Sequence, residues 1–152
     1  MSIEYDGRTG KPIYIDEREF KVRYRSSLGF LEEYFRGLEE GRILAVRCMD
    51  CGARYYPPRS FCIECGSRNI RFYQLSDVGK LVTYTEINVK PQTHSDYTDY
   101  IVGVVEVDGV KLVGHVNAKF EDLKPDIDVS ISVDRRDGDT YYRIIFKPLE
   151  RD

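Results

Sequence analysis

Two Cys-x-x-Cys pairs, Cys48-x-x-Cys51 and Cys62-x-x-Cys65, stand ten residues apart and hold every cysteine of the chain. Nothing else in the sequence restricts the fold so tightly. Each pair suits a tight knuckle whose backbone amides point at the sulfurs. Gly52 and Gly66 follow the second cysteine of each pair, where such a turn needs a residue free to adopt φ > 0. Two facing knuckles close a tetrahedron of thiolates around one ion. A redox dithiol would need only one pair. Iron and zinc both accept four sulfurs, so spacing leaves both open, and a closed site without redox duty points to structural zinc. With no open coordination position, such a metal staples a small segment instead of catalysing.

Around that centre the chain reads as three segments. Residues 1–41 are expected to form an N-terminal helical arm after an irregular lead. Ser26-Ser27 offer a cap, Leu28, Leu31, Phe35 and Leu38 recur at helical spacing, Phe30 and Tyr34 widen the apolar face, and Gly41 is a stop. Gly37 weakens this helix by roughly 1 kcal/mol against alanine, so it should lean on a partner surface, with the rest of the chain the first expectation. The early "GRTGKP" lacks the spacing of a phosphate loop and reads as a turn. Residues 42–75 form the ribbon, with "RILAVR" and "IRFYQL" framing the knuckles as strands. Residues 76–152 carry five alternating runs: "KLVTYTEINVK", "YIVGVVEV", "VKLVGHV", "DVSISVD" and "TYYRIIF". Asp108-Gly109 signals a two-residue hairpin, Asp137-Gly138 a second turn, and "NAKFEDLKPDI" a longer bridge with room for a short helix. The expected fold is mainly β: a helical arm, a rubredoxin-like zinc ribbon, then a five-stranded OB-fold barrel, with a half-open sandwich as the rival for the last segment.

Charge separates the function classes. The whole chain is net −3, residues 42–71 hold six basic against two acidic groups, and residues 91–152 hold eight against thirteen. Four thiolates on one Zn²⁺ would trim the ribbon's surplus further, leaving enough to seat a few phosphates but little for a polyanion groove. No run approaches the roughly 20 apolar residues of a spanning helix. The polar, mixed-charge start shows neither an export nor a transit signal, so a cytoplasmic protein is expected. His115 sits among aliphatic neighbours in a strand, His94 lies in a polar loop where nothing orients it, and no cysteine is free to act as its nucleophile. The tyrosines in or beside the barrel (Tyr84, Tyr97, Tyr100, Tyr141, Tyr142) suit half-buried positions with the hydroxyl at the rim. Independent catalysis is therefore not expected.

The order of arm, ribbon and barrel, together with "FLEEYFRGLEEGRILAVRC", "CGARYYPPRSFCIECGS", "GKLVTYTEI" and "FKP" at 146–148, resembles a family. These are the zinc-ribbon plus OB-fold proteins that accompany thiolases and related acyl-CoA enzymes in archaea and bacteria. The likeness runs from about residue 28 to 148; at 124–129 "KPDIDV" stands where that family usually has a glycine-bearing turn. The resemblance implies a non-catalytic accessory subunit that docks on a thiolase-like enzyme and helps hold or pass an acyl-CoA. It places Cys48, Cys51, Cys62 and Cys65 on the family's metal positions. Phosphates of coenzyme A need basic groups, which Arg47, Arg54 and Arg59 of the ribbon and Lys80 and Lys90 of the first barrel strand supply. Two other classes stand beside this one: a single-stranded nucleic-acid module, disfavoured by the acidic C-terminal half, and a protein-interaction scaffold without a small ligand.

Overall fold

The computed structural model describes residues 2–15, 23, 25–89 and 99–149. Two short stretches at the start, "SIEY" and "PIYI", pair as an antiparallel hairpin of β1 (Ser2–Tyr5) and β2 (Pro12–Ile15). Asp6 shapes its turn, with Oδ1 accepting from the amides of Arg8 (2.9 Å) and Thr9 (2.6 Å) and from the Thr9 hydroxyl (2.8 Å). These donors, the Thr9 amide foremost, hold the Asp6 carboxyl below its ordinary pKa. The expected turn at "GRTGKP" thus joins two strands, which corrects the irregular lead read from sequence.

The helix is shorter than the arm expected there. One 3-10 turn (Gly29–Leu31) leads into α1 (Glu32–Glu39), and no side chain caps either. Ser26 and Ser27 do not act as caps because Gly29 adopts φ 51, a left-handed step that separates them from the first helical turn. At the far end Gly41 stops the helix as expected, at φ 74. Its N–H donates to the Leu38 carbonyl (3.1 Å) and that of Arg42 to Gly37 (2.8 Å), the paired bonds of a Schellman motif. Gly37, poor in helix propensity, is required by packing: a Cβ there would lie 2.9 Å from Leu44 Cγ.

The ribbon is a three-stranded sheet of β3 (Leu44–Cys48), β4 (Arg54–Tyr55) and β5 (Ile70–Gln74), in the order β4-β3-β5. The helical segment covers the face that carries Leu44, Val46 and Phe72. Phe30 stacks on Phe72 with ring centroids 4.8 Å apart, and the hydroxyls of Tyr34 and Tyr56 meet at 2.9 Å. Burial, and then the Tyr34 hydroxyl, hold the Tyr56 phenol far above its ordinary pKa. The helix leans, as expected, on its own chain.

From Val78 onward the alternating runs form β6 (Val78–Ile87), β7 (Tyr100–Val107), β8 (Val110–Val116), β9 (Asp128–Asp134) and β10 (Arg143–Pro148). They close a barrel in the order β10-β8-β7-β6-β9, with β10 parallel to β8 and antiparallel to β9. Asp108 (φ 48) and Gly109 (φ 79) make the two-residue turn between β7 and β8, both in the left-handed region that a type I′ turn needs. A 3-10 turn (Phe120–Asp122) occupies the longer bridge. Asp126 itself takes φ 66 where relatives were expected to place glycine, a conformation that aspartate tolerates better than most residues. Val129 and Ile131 point inward, as alternation demands. No helix among the described residues is long and apolar enough to cross a membrane.

Ribbon and barrel share one core. Leu38, Ile43, Ala45 and Leu75 belong to the same buried cluster as Leu81, Val105, Leu112, Val129 and Phe146. The Phe146 ring fills the barrel centre because Gly114 leaves room for it. A Cβ on Gly114 would lie 2.9 Å from that ring and 2.5 Å from the Ile144 carbonyl oxygen. Gly114→Ala should therefore push β10 from β8 where the barrel closes, a strain of about 1–3 kcal/mol. Thermal denaturation is expected to show a Tm lowered by several degrees. Val113→Thr, on the outward face of the same strand, should leave it nearly unchanged.

Candidate functional site

The knuckles repeat one backbone pattern. Cys48 N–H donates to the Ala53 carbonyl and Cys62 N–H to that of Ser67, both at 2.8 Å. Gly52 N–H returns to Cys48 (2.9 Å) and Gly66 N–H to Cys62 (3.0 Å). Both glycines sit at positive φ, 80 and 74, as their positions after the cysteines predict. The second knuckle is tied to the first by Asp50, which accepts from Ser67 Oγ (2.5 Å) and Asn69 Nδ2 (2.9 Å).

The four sulfurs lie within 4.8 Å of one another, with Cys48–Cys65 at 3.6 Å and Cys51–Cys62 at 3.5 Å. A zinc tetrahedron with Zn–S near 2.3 Å has edges of about 3.8 Å, so the donor set fits. Protonation points the same way. Burial opposes ionisation of Cys62, but the Tyr55 hydroxyl, 3.0 Å from Sγ, and the amides of Cys65 and Glu64 outweigh it and bring the thiol down to about 6. At Cys65 the Ser67 amide works downward, yet the neighbouring sulfurs and burial push the thiol up to about 12. Four thiolates cannot share this volume without a cation to offset their charge. The centre is suited to zinc.

Strand register builds a second feature on the ribbon face turned away from the helix. Arg47 of β3 pairs directly with Arg54 of β4 on one side and Arg71 of β5 on the other. Directly paired residues share a face, so three arginines stand abreast across the sheet. All three are exposed, and they line a cavity of about 350 Å³ with Met49, Phe72, Tyr73 and Asp108. Arg54 Nη1 donates to the Asp108 carbonyl (2.6 Å), and its guanidinium lies 6.0 Å from the Tyr73 ring centre. Asp108, the one carboxylate lining the cavity, instead accepts from the Ser76 amide (2.7 Å) and hydroxyl.

Other predicted basic residues are placed differently. Arg59 lies over the Tyr55 ring at 4.9 Å, away from the row. Lys80 pairs with Asp128 at 2.6 Å, and Lys90 lies outside the described residues, as do His94 and Tyr97. Arg71 was missed because only β-pairing brings it beside Arg47. His115 is half-buried against Tyr100, with ring centroids 5.3 Å apart. It lines a cleft of about 790 Å³ at the barrel rim that also holds Ser132, Asp134 and Arg143. Register sets His115 and Ser132 on opposite sides of Ile145, with backbones about 10 Å apart at ordinary strand spacing. Arg143, nearly fully buried, donates to Asp134 at 2.9 Å.

A four-sulfur ribbon continuous with a closed five-stranded barrel defines a rubredoxin-like zinc-ribbon protein with an OB-fold. Two family models match in that order: "ChsH2, rubredoxin-like zinc ribbon domain" over residues 35–71 and "ChsH2, C-terminal OB-fold domain" over residues 72–134. A DUF35 domain-containing scaffold protein of Methanocaldococcus jannaschii is 32% identical, across 71% of this chain and 82% of that protein. One from Pyrococcus furiosus is 28% identical, across 78% and 93%. The chain belongs to this family of DUF35 domain-containing scaffold proteins. Among solved structures, the Ltp2-ChsH2(DUF35) aldolase superposes with a TM-score of 0.68 at 20% identity, covering 84% of this chain and 98% of that one. A DUF35 protein of unknown function from Sulfolobus solfataricus gives 0.57 at 18% identity, covering 77% and 83%. These two likenesses show a shared fold.

Metal analysis is expected to find one zinc per chain, and cobalt substitution to give the intense visible bands of a tetrahedral thiolate site. Cys62→Ser should lower metal content and Tm together, since Ala45 and Leu75 tie the ribbon to the barrel core.

Proposed function

We propose that this chain is a non-catalytic scaffold subunit that docks on a thiolase-type acyl-CoA enzyme and holds an acyl-CoA at the junction. The proposed division of labour follows the three segments 1–41, 42–75 and 76–152, and the proposed place of action is the cytoplasm, where free thiols persist. Cys48, Cys51, Cys62 and Cys65 hold a structural zinc in this reading.

One observation carries the docking role: large apolar side chains stand exposed on the helical segment and on both knuckles. Leu28, Phe30 and Phe35 do so on the first, and Met49, Phe61 and Ile63 on the second. Met49 and Ile63 occupy equivalent positions, each following the first cysteine of its knuckle. Exposed apolar groups of this size on a rigid, metal-stapled turn suit a protein interface. The family supports the scaffold role, and the ribbon's unpaired arginines support a phosphorylated ligand. The closed sulfur centre, which leaves no open coordination position, supports the absence of independent catalysis.

Co-expression with the thiolase-type enzyme of the same organism tests the reading. The two chains are expected to co-elute on size exclusion with a mass equal to a defined stoichiometry. The double substitution Met49→Asp and Ile63→Asp should abolish co-elution while leaving zinc content and Tm unchanged. Persistence of the complex in that variant would place the interface elsewhere. Calorimetry of the complex is expected to show acetyl-CoA binding and no salt-sensitive binding of a single-stranded oligonucleotide. Complex formation without acyl-CoA binding would leave a scaffold that takes no small ligand.

A further inference from the structure

Arg54, Arg47 and Arg71 stand side by side on one face of the ribbon sheet, each directly opposite the next. Like charges directly opposite on paired strands repel. Among the described residues none of the three has a carboxylate partner within ion-pair distance. The one carboxylate beside them, Asp108, is occupied by the Ser76 amide and hydroxyl. A row of this kind is a standing electrostatic penalty unless an anion completes it. Tyr73 adds a second sign, for its hydroxyl is buried at the cavity wall and has no hydrogen-bond partner.

We propose that Arg54, Arg47 and Arg71 form a binding site for a multiply phosphorylated nucleotide, the phosphorylated adenosine end of an acyl-CoA. This deepens the acyl-CoA reading and rests on it for the identity of the natural ligand. Neighbouring strands lie about 4.8 Å apart, so the outer positions of the row are separated by about 10 Å. That width spans two phosphate groups, whereas a single phosphate would engage only two of the three arginines. Guanidinium forks meet phosphate oxygens in pairs, which makes arginine the apt residue here. Arg54 is already oriented by the Asp108 carbonyl, and Gly109 leaves it room: a Cβ there would lie 3.2 Å from Nη1. Arg47 reaches over the first knuckle, its Nη2 3.7 Å from where a Gly52 Cβ would stand. The row is thus held at one end by the barrel turn and in the middle by the metal knuckle. Met49 and Tyr73 give the cavity an apolar and an aromatic wall against which a purine ring can lie.

The test is calorimetric titration of the zinc-loaded full chain with adenosine 3′,5′-bisphosphate, and separately with acetyl-CoA and a single-stranded oligonucleotide. The chains compared are wild type, Arg47→Gln, Arg71→Gln and the exposed control Lys147→Gln. Arg54 is left intact because it also joins ribbon to barrel. The bisphosphate is expected to bind wild type and the control alike, and about tenfold more weakly to each arginine variant, the scale of one lost charge-assisted contact. Both arginine variants should keep their zinc and show a Tm equal to or above that of wild type, since each relieves repulsion. Bisphosphate binding that ignores both substitutions, or no binding at all, overturns the proposal. So does oligonucleotide binding tighter than that of the bisphosphate, which would make the row a polymer contact. Acetyl-CoA binding that is indifferent to both substitutions overturns the row and leaves the acyl-CoA reading standing. Row-dependent bisphosphate binding without any acetyl-CoA affinity supports the row and removes acyl-CoA as its ligand.

Discussion

Convergence of four sulfurs is the constraint on which the ribbon depends. Its sheet has strands of five, two and five residues, too little surface to bury a core of its own. The knuckles meet at sulfur–sulfur distances of 3.5 and 3.6 Å, and that closeness fixes where β3 enters the first knuckle and β5 leaves the second. Their register follows, and with it the alignment of Arg47 and Arg71. A sulfur centre suited to zinc therefore bears on the electrostatics of a sheet face beyond its own ligands.

The ribbon is joined to the barrel by apolar burial and by a small polar junction. Ile43, Ala45 and Leu75 enter the barrel cluster, while the β7–β8 turn reaches back through Asp108. The Asp108 carboxylate holds Ser76 at the exit from β5, and its carbonyl holds Arg54 of β4. The short helix completes the arrangement on the opposite face, with Phe30 on Phe72, Tyr34 against Tyr56, and Gly37 allowing Leu44 to approach. One sheet face is thereby covered, and the other packs Ala45 on the barrel and leaves its knuckle end charged and open.

The sequence exposes these features unequally. Alternation in "VSISV" and the Asp108-Gly109 pair announce their strands and turn because both signals are local. The metal site is equally plain, since spacing and paired glycines state its geometry. The hairpin β1–β2 escapes notice: each strand has only four residues, too few for alternation to stand out. The helix start is misplaced because nothing in "SSLGF" shows that Gly29 will take a left-handed step. The arginine row is invisible for a deeper reason. Arg47 and Arg71 are separated by two knuckles, and only strand register makes them neighbours. Likewise Lys80 looks available until Asp128, on a strand 48 residues away, is found beside it.

Gly114 and Phe146 have a consequence for how such a chain diversifies. With the aromatic ring lodged against that glycine, the barrel is solid, and recognition is confined to its exterior and to the ribbon. Residues exposed on the surface are then separate from residues that secure the fold. Arg71, Met49 and Ile63 can change independently of Leu81, Leu112 and Phe146. A lineage is free to alter its exposed faces by surface drift alone, keeping its architecture at identities as low as the 18–20% seen against the solved structures.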